Sequence, residues 1–103
     1  MEPNDNFERE DRLASLQQLA GDSDLVKAGH HIIGGRLGAA EPLCRNVLKR
    51  DPLNVNAMCM LADIGVQVGA FGDAEKLLKR CLELAPDFHR ARAIYANALF
   101  KKQ

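Results

Sequence analysis

The sequence predicts an all-α fold, a solenoid of helical hairpins with about two and a half repeats and a leader helix in front. Three observations predict it. The chain matches itself at an offset of 34 residues, apolar residues recur at helical spacing, and glycines and prolines punctuate both copies at matching places. Sliding residues 21–54 over 55–88 pairs Ala28 with Ala62, Gly35 with Gly69, Gly38 with Gly72, Ala40 with Ala74, Glu41 with Glu75, Leu43 with Leu77, Leu48 with Leu82 and Pro52 with Pro86. At the same offset Ala57 meets Ala91 and Ala62 meets Ala96, so a third unit begins near His89 and stops halfway. The predicted organisation is an acidic leader over 1–20 and a repeat domain over 21–103. That domain divides into 21–54, 55–88 and a half repeat or capping helix over 89–103.

Each element has a local reason. In the leader, residues 6–20 place Phe7, Leu13, Leu16, Leu19 and Ala20 on one side of a helix whose start is acid-rich, as the helix dipole prefers. The first unit holds two helices punctuated by Gly34-Gly35 and Gly38 and stopped by Pro52. Pro42 is expected in the first turn of its helix, where a missing N–H costs little. In the second unit Met58, Leu61, Ala62 and Gly65 recur at helical spacing over 54–68. Gly69 and Gly72 then bracket a turn, since glycine accepts the left-handed backbone that ends a helix. Ala74, Leu77, Leu78, Cys81 and Leu82 form one apolar face, and Pro86 ends that helix. The third unit offers one helix over 89–102. Ala40 and Ala74 are small because paired helices approach to about 8–10 Å, and a bulky residue at the contact would hold them apart.

Composition narrows the function. Apolar residues make up 47% of the 103, enough for a packed core, while aromatics at 5% leave the packing to aliphatic side chains. A formal net charge of zero removes the bulk electrostatic case for a nucleic acid or an anionic membrane. No apolar run approaches the length of a membrane span, and the opening residues are too polar and acidic for a signal peptide. The expected compartment is the cytoplasm. Residues 1–24 carry seven acids against two bases, whereas the last fifteen residues hold Arg90, Arg92, Lys101 and Lys102 and no acid. This asymmetry fits either head-to-tail contact between molecules or a solvated leader and a dipole-matched helix end.

No chemistry for catalysis is legible. Cys44, Cys59 and Cys81 are widely spaced, with no C-x-x-C pair or Cys/His cluster, so no metal site is expected. Cys44 and Cys81 fall on apolar helix faces and read as core thiols. Adjacent His30 and His31 point about 100° apart on a helix and do not chelate one metal together. The carboxylates Glu8, Glu10 and Asp11 lie in the leader with nothing to raise their pKa. Gly34-Gly35-Arg36-Leu37-Gly38 lacks the preceding strand and the spacing of a nucleotide loop. No catalytic residue, cofactor or metal is expected.

The 34-residue period, the Gly-x-x-Gly turn before Ala40 and Ala74, the alanines Ala62 and Ala96, and the closing Pro52 and Pro86 together resemble tetratricopeptide repeats over about residues 21–103. The chain departs from that pattern at Asp24 and Lys27, where the family buries large apolar residues, and at His31 and Gly65, where an aromatic is common. The resemblance implies a right-handed superhelix with the first helix of each hairpin lining its concave side. The stretch 54–102, including Leu84-Ala85-Pro86-Asp87-Phe88 and Arg90-Ala91-Arg92, also resembles the repeats ahead of some bacterial sulfotransferase domains. Two serines and no threonine leave no candidate for a phosphate-cradling loop, so only the repeat portion of such an enzyme is represented.

The implied groove is mixed. Val26, Gly29 and Ile33 are assigned to its first helix, Cys59, Met60, Asp63 and Gln67 to the second, and Arg90, Ile94 and Asn97 to the third. Val26, Ile33, Met60 and Ile94 form an apolar floor, Asp63 accepts hydrogen bonds, and Arg90 and Asn97 donate them. Cys59 faces the groove without a histidine or basic cluster to activate it. Such a surface suits an extended or helical peptide of a protein partner, or else it is covered by the leader or a second copy. Members that grip chaperone C-termini use a lysine/asparagine clamp; Leu25, Gly29 and Met60 stand there instead, so no such binding is expected. The last helix lacks the partner that would bury Tyr95, Leu99 and Phe100. Either the chain continues beyond Gln103 or a homodimer through this helix hides them. The favoured reading is a protein-interaction scaffold. The alternatives are the accessory repeats of a larger enzyme, a sulfotransferase first, and an oligomerisation module.

Overall fold

The computed structural model describes residues 23–102, and the predicted leader helix over 6–20 lies outside them. Five helices and no strand occur among the described residues: α1 (Ser23–Ile33), α2 (Leu37–Arg50), α3 (Val55–Gln67), α4 (Phe71–Leu84) and α5 (His89–Lys102). Each packs on its neighbour in the chain, α1 with α2 and α3 with α4 as hairpins, and α5 closes the series.

The 34-residue period holds down to individual hydrogen bonds. At the end of α1, Gly35 N–H donates to Ile32 O at 3.0 Å and Arg36 N–H to His31 O at 2.7 Å. At the end of α3, Gly69 donates to Val66 O at 3.3 Å and Ala70 to Gly65 O at 2.7 Å. This pair of bonds satisfies the orphan carbonyls of a helix end when the residue between adopts a left-handed backbone. Gly35 and Gly69 supply it, with φ of 77° and 88°. The exits of the second helices repeat too, Asp51 donating to Val47 O at 2.7 Å and Ala85 to Cys81 O at 2.8 Å. The start of α3 has a side-chain cap in which Asn54 Oδ1 accepts from Ala57 N–H at 3.0 Å.

Two expectations change. Gly38 and Gly72 do not bracket the turns; each is the second residue of its helix, neither has positive φ, and a Cβ at either would meet nothing within 4 Å. α2 begins at Leu37, so Pro42 sits in its second turn rather than its first. There it removes the N–H that would bond to the carbonyl of Gly38, and both residues are exposed. Gly65, in contrast, lies at a close approach. A Cβ there would lie 3.3 Å from Cβ of Ala74 and 3.4 Å from the carbonyl oxygen of Ala70. Gly65 and Ala74 together let α3 and α4 close on each other.

α3 is the centre of the packing. Its Ala57, Met60, Leu61 and Ile64 join Leu25, Ala28, Ala40, Cys44 and Val47 in one core. Its Met58, Cys59, Ala62 and Val66 join Ala74, Leu78, Cys81, Ala91 and Ala98 in a second. A helix that is apolar nearly all round must be covered on most sides, and α3 is covered by all four other helices. Ion pairs link the ends. Arg50 of α2 meets Asp24 of α1 at 3.1 Å, and Lys102 of α5 meets Glu75 of α4 at 2.8 Å. The hydrogen bond from Lys102, with help from Lys79, holds the Glu75 carboxyl below the usual range.

The two glycine types should separate in urea denaturation. Gly69→Ala places a Cβ in a left-handed backbone and is expected to destabilise by about 1–2 kcal/mol. Gly72→Ala, in open helical backbone, is expected to stabilise by about 0.4–1 kcal/mol. Equal effects of the two substitutions would show that the turn assignment is wrong.

Candidate functional site

The first helices of the three units stand side by side. α1 touches α3 and α3 touches α5, whereas α2 and α4 make no close backbone approach to each other. Helices that converge on one side of a stack and splay on the other bend it, and the converging side becomes concave. The free side of α1, α3 and α5 is therefore the inner face.

Asp63 sits at the middle of this face, half-buried on α3. Its carboxylate accepts from Nη2 of Arg90 on α5 at 3.4 Å and from Nε2 of Gln67, one turn along, at 3.3 Å. Arg90 and Asn97, two turns apart on α5, are both exposed, and Ile94 between them is half-buried against the second core. On α1, Val26 is half-buried and Ile33 is 81% exposed. The structure thus brings Asp63, Arg90, Ile94 and Asn97 onto one continuous surface across α3 and α5, with Val26 and Ile33 on the helix beyond.

Cys59 and Met60 do not join them. Both are buried, at 2% and 5% exposure. Met60 turns towards α1 and α2 in the first core, and Cys59 packs in the second. Gly29 is buried as well, at the centre of α1. The apolar floor is therefore shorter than expected, and the part of α3 that reaches the face is polar. Asn56 and Lys101 are the residues that sequence reasoning passed over. Asn56 precedes Asp63 by two turns and Lys101 follows Asn97 by one, so helical spacing from the polar residues would have found them.

Burial decides the chemistry of the thiols. It pushes Cys59 up to about 12, with Arg90 opposing the rise, and Cys44 up to about 11, with Arg45 opposing it. Cys81 is raised for the same reason, and its Sγ lies 3.6 Å from the carbonyl oxygen of Val55. All three are free thiols. Protonated and enclosed, they are poor nucleophiles. Among the described residues no three His, Cys, Asp or Glu side chains are grouped to hold a metal ion, and no helix is long and apolar enough to cross a membrane.

Residues 32–98, more than half of the chain, match the family model described as Tetratricopeptide repeat. The chain belongs to the tetratricopeptide repeat family. No curated protein matches it. Tetratricopeptide repeats generally mediate protein–protein interaction and typically act as non-catalytic scaffolds. The face just described carries the hydrogen-bonding side chains of Asp63, Gln67, Arg90 and Asn97 beside half-buried Ile94.

The thiols give a direct check on the burial of Cys59. A thiol reagent at pH 8 should leave the native protein unmodified and label all three cysteines in denaturant. Stability should also depend on alkaline pH in one direction. Above the ordinary thiol value of 9.0 the unfolded chain loses these protons while the folded chain keeps them, up to about 11 for Cys44 and about 12 for Cys59. The folded state then binds more protons, so stability falls as pH rises through that window. A thermal midpoint that is flat from pH 9 to pH 11 in the wild type would contradict the buried placement.

Proposed function

We propose that the protein is a non-catalytic interaction scaffold whose concave face receives an extended or helical segment of a protein partner. The observation that carries this reading is the side-by-side contact of α1, α3 and α5 with α2 and α4 held apart, which leaves one curved face lined by the first helices. Ile33 and Ile94 supply separated apolar anchors. Asp63, Arg90 and Asn97 supply hydrogen-bonding groups that fix the register of a bound backbone. The Asp63–Arg90 pair is partly exposed, so a ligand can compete for either partner without leaving a charge buried. Three free, enclosed thiols suit a reducing compartment, and the cytoplasm is the proposed location.

The test replaces two exposed residues at opposite ends of the face. Affinity capture with Ile33→Glu plus Asn97→Glu, compared with wild type, should lose the specific partners at least tenfold, a change of about 1.4 kcal/mol. Because both side chains are exposed, the thermal midpoint should stay where it is. Recovery of the same proteins in the same yield would remove the concave face from the function.

A further inference from the structure

The outer side of the stack carries a cleft that the concave face does not use. α2 and α4 are held apart, and between them, towards the end of α2, lies an open cleft of about 280 Å³. Leu48, Pro52, Met58 and Leu77 form its floor, and Lys76 and Arg80 stand at its rim. It falls below the roughly 300–1,000 Å³ of a small-molecule site and offers only two cations as polar groups, so it suits apolar side chains of a peptide. Both cations are exposed. Lys76 makes no ion pair among the described residues, and Arg80 reaches Glu83 only at 3.9 Å. Further along the same seam a smaller hollow shares Leu77 and carries Glu41 and Asp73. The cleft at the end of α2 is therefore the end of the seam that attracts acids.

We propose that the acidic leader of the same chain docks in this cleft, with Leu13 and Leu16 on its floor and Glu8, Glu10 and Asp11 against Lys76 and Arg80. Charge favours it. Residues 1–22 hold six acids against two bases, and residues 23–103 hold twelve bases against eight acids. The leader also carries its apolar and acidic groups in the order that the cleft requires. Leu13 and Leu16 share one side of a helix, and the three acids lie five to eight residues before Leu16. The point of attachment is suitable too. Arg50 at the end of α2 meets Asp24 at the start of α1 at 3.1 Å, so Ser23 and Pro52 lie at one end of the first hairpin. Crossing α2 from α1 to the cleft takes about 13–16 Å, one interhelical spacing plus half a helix diameter. Residues 16–22 reach about 16 Å with 16–20 helical and the rest extended. The acids then fall about 7–12 Å further on, over α4. The contact is small, but the tether compensates. At about millimolar effective concentration, an intrinsic Kd of about 0.1 mM keeps the leader docked about nine-tenths of the time. The concave face stays free, so this inference and the proposed function are tested separately.

Limited trypsin digestion of the full chain tests it, because Arg9 and Arg12 lie within the leader. In the wild type these two sites should be cut at least tenfold more slowly than in Leu13→Asp plus Leu16→Asp, a pair that leaves the repeat domain unaltered. Lys76→Glu plus Arg80→Glu should release the leader to the same extent, with the thermal midpoint of the exposed-site variant recorded alongside. Raising salt from about 0.05 M to about 0.5 M should narrow the gap between the wild type and the leucine variant, since it screens the attraction. Ile33→Glu plus Asn97→Glu, on the concave face, should leave the protection in place. Equal cutting of the wild type and the leucine variant overturns the proposal. Protection that survives Lys76→Glu plus Arg80→Glu overturns it as well and assigns the leader to another surface, as does release by the concave-face pair. Protection that grows with protein concentration overturns docking within one chain and assigns the cleft to the leader of a second copy.

Discussion

α3 is shared between two cores, and the rest of the structure depends on that sharing. Eight of its residues are buried, four turned to the helices before it and four to those after. Neither the helices before α3 nor those after it have a sufficient core of their own, since α1 and α2 rest on Ala57, Met60, Leu61 and Ile64, and α4 and α5 on Met58, Cys59, Ala62 and Val66. A linear stack of this kind gains its stability from neighbour interfaces more than from its units, and its middle element carries the greatest share. The same sharing fixes where function can be. Once two sides of α3 are committed to packing, only the strip through Asn56, Asp63 and Gln67 is left for a partner.

Where α3 is enclosed, α5 has only one side enclosed. Ala91 and Ala98 are its buried residues, and both are small. It is held instead by half-buried Ile94 and Tyr95 and by the Lys102–Glu75 ion pair at its far end. An ion pair in water holds a helix only weakly, so α5 is tied more loosely than α3. An acceptor at Asp63 that bonds Arg90 across to this less firmly held helix links the shape of the concave face to the position of α5.

Much of the fold was legible in the sequence, because its period is written in residues that the backbone constrains. Gly35 and Gly69 are required by positive φ, Ala40 and Ala74 are small where helices meet, and Pro52 and Pro86 follow the helix ends at Arg50 and Leu84. The misreadings share one physical source. A helical face can be assigned only when polar residues mark its opposite side, and α3 is apolar over most of its circumference. Cys59 and Met60 were therefore placed on the inner face although they turn into the two cores. The polar spacing of Asn56, Asp63 and Gln67 was the better guide to phase. Gly38 and Gly72 were misread for a related reason. Both sit beside a true turn glycine, and sequence alone does not separate a residue that needs left-handed backbone from one that tolerates helix.

The loop after each first helix closes on its own main chain, through bonds that involve no side chain from elsewhere in the molecule. A duplicated 34-residue segment would carry that closure with it and arrive ready to stack. Array length is thus a quantity that gene duplication can change by whole units, lengthening the inner surface without redesigning any joint.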